Sequence, residues 1–245
     1  MLTGSADPAS LAAGAPTVAA LATEPLVCPG AELLQVVHEI WAEGRDAVLP
    51  PGLHPVTTPA LTWSFMRAPE SEVGPFTLAQ TRVVCRSGVR SRGFHVAGFI
   101  DNPEAGRVLS SRWGYRLAVA EVSVERLYHG TFGRVETDGR TVLDVGLASP
   151  QPLNGDDLQF TDTMHLAETP AGLRLVQVEQ AFAFSRAERG RPVLVSFDPA
   201  AWGQPRLRPS SPVSASSATA DVTIQPVRFV CRPDVSAFEG TERVG

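Results

Sequence analysis

The chain contains no lysine. All 21 basic residues are arginine, set against 26 acidic ones. Arginine keeps its proton, so no side chain offers the neutral amine that a Schiff base requires. The α-amine of Met1 is the one amine left. A GC-rich coding bias accounts for the gap, as it does for the wealth of Ala, Gly and Pro, but the chemical consequence is independent of the cause. Cysteine is scarce too. Cys28, Cys85 and Cys231 lie far apart with no C-x-x-C spacing, which reads as small buried hydrophobes rather than a disulfide or metal set. No apolar run reaches the roughly 18 residues of a membrane-spanning helix. No basic region precedes an apolar core in the first 25 residues, so a secretory signal is not expected and a cytoplasmic location is. The net charge of −5 leaves no footprint for nucleic acid. Phosphate loops, G-x-G-x-x-G and G-x-S-x-G are missing. The five histidines, His38, His54, His95, His129 and His165, are scattered without H-x-H or H-x-x-x-H pairs. Neither a metal nor another cofactor is expected.

What is present is mostly strand. Alternating or β-rich runs occupy 62–67, 76–86, 94–100, 121–128, 131–137, 141–147, 158–168, 173–184, 193–197 and 220–231. Asp138-Gly139 and Pro170-Ala171-Gly172 mark turns between them. Residues 32–50 read either as a strand leading into a short helix or as one helix. A short helix is expected near Asp198–Trp202. Many strands at regular spacing predict a mainly β (α+β) chain, an antiparallel barrel or sandwich. Residues 1–25, rich in Ala, Pro, Ser and Gly, read as a mobile tail. A single domain is expected over 26–235, followed by a C-terminal tail over 236–245. RSGVRSRG at 86–93 gathers three arginines around glycines, either an anion-holding loop or a solvated hairpin.

Several segments, taken in order, resemble one family. LPPGL (49–53), GFIDN (98–102), Gly106-Arg107, WGYRLA (113–118) and the stretch 193–224 are similar to successive elements of the acetoacetate decarboxylase superfamily. The resemblance spans about Val36 to Arg228. It implies a β-rich mixed barrel or cone around a central cavity, and homo-oligomers. In that family a lysine amine forms an iminium with a β-keto acid, and the iminium is the electron sink for loss of CO₂.

The resemblance places Arg116 at the family's proline and Leu117 at its Schiff-base lysine. Ala118 falls at the second lysine, Leu78 at a glutamate and Glu39 at an early arginine. Arg107 matches a family arginine. The covalent mechanism is therefore absent, and the cavity is expected to be more apolar than in a decarboxylase. Glu39, Arg107, Arg116 and Tyr115 are the candidate catalytic groups: a carboxyl of raised pKa as acid or base, an arginine for a carboxylate or an enolisable carbonyl, and a phenol donor. Leu78, Leu117, Trp113 and His95 are the candidate substrate-binding wall.

Each has a plainer reading. Glu39 reads equally as a surface residue on an edge strand, and Arg107 as an ion-pair partner of Asp101. Tyr115 reads as packing, His95 as a core histidine, and Trp41, Trp63, Trp113 and Trp202 as core or cavity wall.

Three functions follow. The first is a cofactor-free, lysine-independent enzyme of specialised, polyketide-like metabolism that binds a hydrophobic oxo-type substrate and promotes cyclisation, dehydration or isomerisation. The second is a non-catalytic small-molecule binding protein. The third is a decarboxylase that works without a Schiff base.

Overall fold

The computed structural model describes residues 2–244; Met1, with the one remaining amine, lies outside them. The strands are β1 (Leu26–Ile40), β2 (His54–Pro55), β3 (Ala60–Ala68), β4 (Phe76–Ser87), β5 (Arg90–Ile100), β6 (Leu117–Val119), β7 (Glu121–Leu127) and β8 (Gly130–Thr137). They continue with β9 (Arg140–Pro152), β10 (Thr163–Thr169), β11 (Gly172–Val178), β12 (Gln180–Phe197), β13 (Pro209–Ile224), β14 (Phe229–Cys231) and β15 (Thr241–Arg243). The helices are α1 (Pro8–Ala12), α2 (Ala42–Asp46), α3 (Pro103–Trp113) and α4 (Ala237–Gly240).

All the strands join one mixed sheet, ordered β15-β14-β11-β10-β5-β4-β3-β1-β13-β12-β9-β8-β7, with β2 beside β4 and β6 beside β5. β5 pairs in parallel with both β10 and β6. The ladder runs open from β15 to β7 instead of closing. It curls on itself all the same, for β7 packs against β3, β4 and β5. The curl encloses one core, in which Leu34, Val36, Trp63 and Phe65 meet Val135, Leu143 and Val145. On the other face of β1, β3, β4 and β5 lies a second core. There Leu33, Met66, Leu78 and Ile100 pack under Leu109, Trp113 and Tyr115. β4 is buried on both faces, as a central strand covered on both sides must be.

The turn chemistry is as the sequence indicates. Asp138 and Gly139 both take positive φ, 51° and 71°, and join β8 to β9 as a two-residue hairpin. RSGVRSRG is a hairpin as well, but its Arg92 is buried and reaches Asp162 at 3.2 Å. Residues 32–50 are a strand followed by the short α2.

Four expectations need correction. Residues 2–25 are docked rather than free. Gly4 N–H donates to Leu53 and Ala6 N–H to Leu49, Asp7 caps α1, and Val18 is fully buried beside Glu168, to which its amide is bonded. Backbone hydrogen bonds hold a segment that has few large side chains to pack. The C-terminal residues likewise form α4 and the edge strand β15. Residues 198–202 are turn, not helix; Asp198 Oδ1 accepts from Ala200 N–H and ends the strand without starting a helix. Trp41 is 65% exposed, whereas Trp63, Trp113 and Trp202 are buried.

The strand reading also missed α3. Asn102 caps it through Oδ1, Pro103 opens it, and Gly114 closes it in the left-handed conformation at φ 71°. Ala105, Leu109 and Trp113, four residues apart, form its buried face. A Cβ on Gly114 would stand 2.8 Å from that of Ala167, in a conformation disfavoured for L side chains. Gly114→Ala is therefore expected to cost about 1–3 kcal/mol, read as a lowered urea midpoint.

Candidate active site

Register assembles the site. Gln35 of β1 faces Ser64 of β3, Ser64 faces Gln80 of β4, Gln80 faces Gly98 of β5, and Gly98 faces Leu117 of β6. Opposed residues share a face, so this row looks toward the second core. The next row runs Val37, Thr62, Arg82, His95. Thr81 pairs with Ala97, so a regular ladder would set Arg82 against Val96. A β-bulge shifts the pairing by one residue and brings His95 to the same face as Arg82. On the other side of β5, β10 brings in Thr163 and His165.

Four side chains meet there: Arg82 is 4% exposed, His95 3%, Tyr115 1% and His165 0%. The His165 ring lies 4.2 Å from the Tyr115 ring and 4.6 Å from that of His95, centroid to centroid. His165 Nδ1 donates to the Trp113 carbonyl at 3.0 Å, because a carbonyl only accepts. Its Nε2 then accepts from the Thr163 hydroxyl at 2.7 Å. By the same logic His95 Nε2 donates to the Arg116 carbonyl at 3.3 Å, and Nδ1 keeps its lone pair. That Nδ1 has no hydrogen-bond partner. Neither do Ser64 Oγ, Gln80 Oε1 and Arg82 Nε on the same face. Buried polar atoms are normally paired, so four unpaired ones on one face mark a place where a ligand or solvent completes them.

Burial sets the electrostatics. It pushes the His95 imidazole down to about 3, with the nearby Arg82 and Arg116 charges adding to the effect, and holds His165 well below its usual range. Both rings are neutral at neutral pH. Burial also raises the Tyr115 phenol and lowers the Arg82 guanidinium to about 10, which leaves it charged at neutral pH.

The structure gathers some of the expected residues and disperses others. Tyr115, His95, Trp113, Leu78 and Leu117 all belong to this face or pack against it. Leu117 lies over Gly98, and a Cβ on that glycine would meet Leu117 Cδ2 at 2.7 Å and His95 Cε1 at 3.3 Å. Trp113 is spent on structure, its Nε1 donating to the Gln225 carbonyl. Glu39 shares the face of Gln35 but stands at the end of β1 opposite Ala60, half-buried. Arg107 lies outside the site, on the exposed side of α3, and pairs with Glu104 rather than Asp101. Arg116 gives its carbonyl to the site, while its guanidinium lies beside Gly14. With His95, Phe94 and Gln204 it lines a pocket of about 20 Å³, room for about one water.

Arg82, His165, Gln80 and Ser64 were not singled out from the sequence. Their signal was legible in part, since Gln80 and Arg82 are polar at the alternate positions that follow Leu78 on a strand buried on both faces.

The family model for acetoacetate decarboxylase matches residues 13–232. The chain belongs to the acetoacetate decarboxylase family. The chain contains no lysine. No curated protein sequence matches it.

Solved structures share the fold at low identity. Acetoacetate decarboxylase from Legionella pneumophila is 17% identical with a TM-score of 0.72, covering 84% of this chain and 86% of that one. The enduracididine biosynthesis enzyme MppR, complexed with the condensation product of pyruvate and imidazole 4-carboxaldehyde, is 17% identical with a TM-score of 0.68, covering 85% and 90%. An acetoacetate decarboxylase-like enzyme from Sphingomonas wittichii is 15% identical with a TM-score of 0.63, covering 85% and 94%.

Proposed function

We propose that this family member is a cofactor-free, lysine-independent enzyme of specialised metabolism. It binds an oxo-type intermediate on the face of β3, β4, β5 and β10 and promotes cyclisation, dehydration or isomerisation. One observation carries the reading. Leu117, which the resemblance sets at the family's amine, stands over Gly98 and beside His95, on a face with four unpartnered polar atoms.

Such a face can do carbonyl chemistry without a covalent bond. Enolisation and aldol-type steps need a donor at the carbonyl oxygen, an acceptor for an enol or hydroxyl hydrogen, and exclusion of water. Arg82 Nε–H and the Ser64 hydroxyl are donors; His95 Nδ1 and Gln80 Oε1 are acceptors. Arg82 takes the part that sequence reasoning gave to Arg107 and Arg116. Leu78, Leu117 and Phe160 supply an apolar wall for the rest of the ligand. Strongly shifted groups favour an enzyme over a plain binding protein. The MppR complex supports the direction, because that enzyme holds a condensation product. We expect a cytoplasmic homo-oligomer.

The test compares the metabolites of the host with and without the gene by mass spectrometry. An intermediate is expected to accumulate without it, and the purified protein to convert that intermediate. An isomer of equal mass means cyclisation or isomerisation, and loss of water means dehydration. Binding without conversion establishes the binding protein instead.

A further inference from the structure

The core inside the curl changes character at one end. Phe65 of β3 faces Leu34 of β1, Leu34 faces Ser217 of β13, and Ser217 faces Glu188 of β12. The row two residues further out on the same face is Arg67, Glu32, Thr219 and Arg186. The wall that carries Leu34 and Phe65 therefore ends in charged side chains. From across the curl, β7 sends in Arg126, on the face of the buried Val122 and Val124. Glu188 is 8% exposed, and both its oxygens are occupied. Oε1 accepts from Arg186 Nη2, and Oε2 accepts from the Ser217 hydroxyl at 3.3 Å. Arg126 Nη2 lies 4.0 Å from Glu188 Oε2, too far to donate, and this buried atom has no other partner. Glu32 lines the same hollow, but its Oε2 pairs with Arg67. Two guanidiniums thus share one carboxylate, and one positive charge is left over.

These groups open into a cleft of about 750 Å³. Leu127, Pro150 and Pro152 wall it, and Tyr128 and His129 stand at its edge. Tyr128 is fully exposed, an aromatic ring with nothing packed on it. Ser149, on the same cleft, holds a left-handed φ of 56°. Non-glycine strain of that kind concentrates at ligand clamps and active sites.

We propose that this cleft binds a phosphate monoester, with the anion held between Arg126 and Arg186. The uncompensated charge calls for an anion. The placement of the two guanidiniums calls for a phosphate, because they come from opposite walls. A carboxylate offers two coplanar oxygens to one fork, whereas phosphate oxygens diverge and accept from both sides at once. The apolar wall and the free Tyr128 ring call for an organic substituent on the ester. Glu188 holds Arg186 in place and moderates the affinity by its own charge. The cleft is on the opposite face of β1 from Gln35, so it does not rest on the functional reading above.

The test titrates phenyl phosphate, inorganic phosphate and benzoate into the full-length protein by calorimetry, at constant ionic strength. Phenyl phosphate is expected to bind about ten-fold more tightly than inorganic phosphate, and Arg126→Gln or Arg186→Gln to weaken both by at least about ten-fold. Glu188→Gln removes the competing charge and is expected to tighten both, a sign that a purely structural ion cluster would not give. Arg82→Gln, on the other face, is expected to leave both affinities unchanged. Any benzoate binding is expected to be independent of Arg126. Absence of saturable phenyl phosphate binding in the wild type overturns the proposal. So does binding that survives Arg126→Gln in a folded protein, or that Glu188→Gln weakens. Equal affinity for phenyl phosphate and inorganic phosphate overturns the ester, and an equal, Arg126-dependent affinity for benzoate overturns the phosphate.

Discussion

Leu117→Lys is expected to turn a chain that borohydride cannot trap into one that it labels on a single residue. In the wild type no side-chain amine exists, so incubation with acetoacetate followed by borohydride leaves residues 2–244 unmodified. In the variant the new amine stands over Gly98 and beside His95, with the Arg82 charge on the same face. Desolvation and a neighbouring cation both lower a lysine pKa; acetoacetate decarboxylase is itself the standard example of such an amine. The free amine attacks the ketone carbon and water leaves, giving an imine. Borohydride then delivers hydride to the C=N carbon and fixes a secondary amine. Intact-mass and peptide spectrometry are expected to show one adduct, on residue 117. A variant that folds and takes up no label would mean that residue 117 does not face the site.

The second large effect is acid instability that begins above the carboxylate range. His95 and His165 are held neutral in the folded protein far below the ordinary imidazole value of about 6.5. His38, on the other face of β1, is lowered by burial as well. A histidine whose folded pKa is depressed gains no proton in the native state while the unfolded chain takes one up. The unfolded state therefore binds more protons below about pH 6.5, and stability falls as pH falls. Well below that value each such histidine costs about 1.4 kcal/mol per pH unit, so His95 and His165 together cost about 3. Urea midpoints between pH 7 and pH 5 are expected to drop steeply. His165→Gln, which titrates nowhere in this range, should remove roughly half of the slope from the pair. A flat profile over that interval would contradict the buried, neutral cluster.

Much of the fold is legible in the sequence. Alternation in FTLAQTRVVCR and FHVAGFI, and the Asp138-Gly139 turn, give β4, β5 and the β8–β9 hairpin directly, because period-two patterning and positive-φ turn residues are local properties. α3 was also written locally, in the Asn102-Pro103 start, the four-residue spacing of Ala105, Leu109 and Trp113, and the Gly114 stop. It was overlooked because strand runs on both sides dominate the region. The docking of residues 2–25 is not local at all, for it depends on backbone bonds to Leu49, Leu53 and Glu168.

The candidate site divides in the same way. The missing lysine is plain from composition, and Leu78, Leu117 and Tyr115 lie on or pack against the face that carries the unpaired polar atoms. Arg82 could be found by following the polar alternation of β4 past Gln80. His95 could not, since it reaches this face through a bulge, and one residue of slip reverses a strand's two faces. His165 joins through a parallel pairing of β10 with β5, a contact between residues about seventy positions apart that no spacing rule connects. Arg107 misled because it was chosen on the family resemblance, which does not say which side of α3 it occupies.

Carbonyl chemistry on this buried face is expected to run with no covalent bond to the protein. The most direct test is the rate at which purified protein converts the intermediate that accumulates without the gene, in the wild type and in His95→Phe. The substitution keeps an aromatic ring and removes the unpartnered Nδ1. A fall of about 100-fold or more, with binding of the intermediate retained, is the predicted result. Conversion at the wild-type rate in a folded His95→Phe protein would contradict it and move the chemistry elsewhere in the molecule.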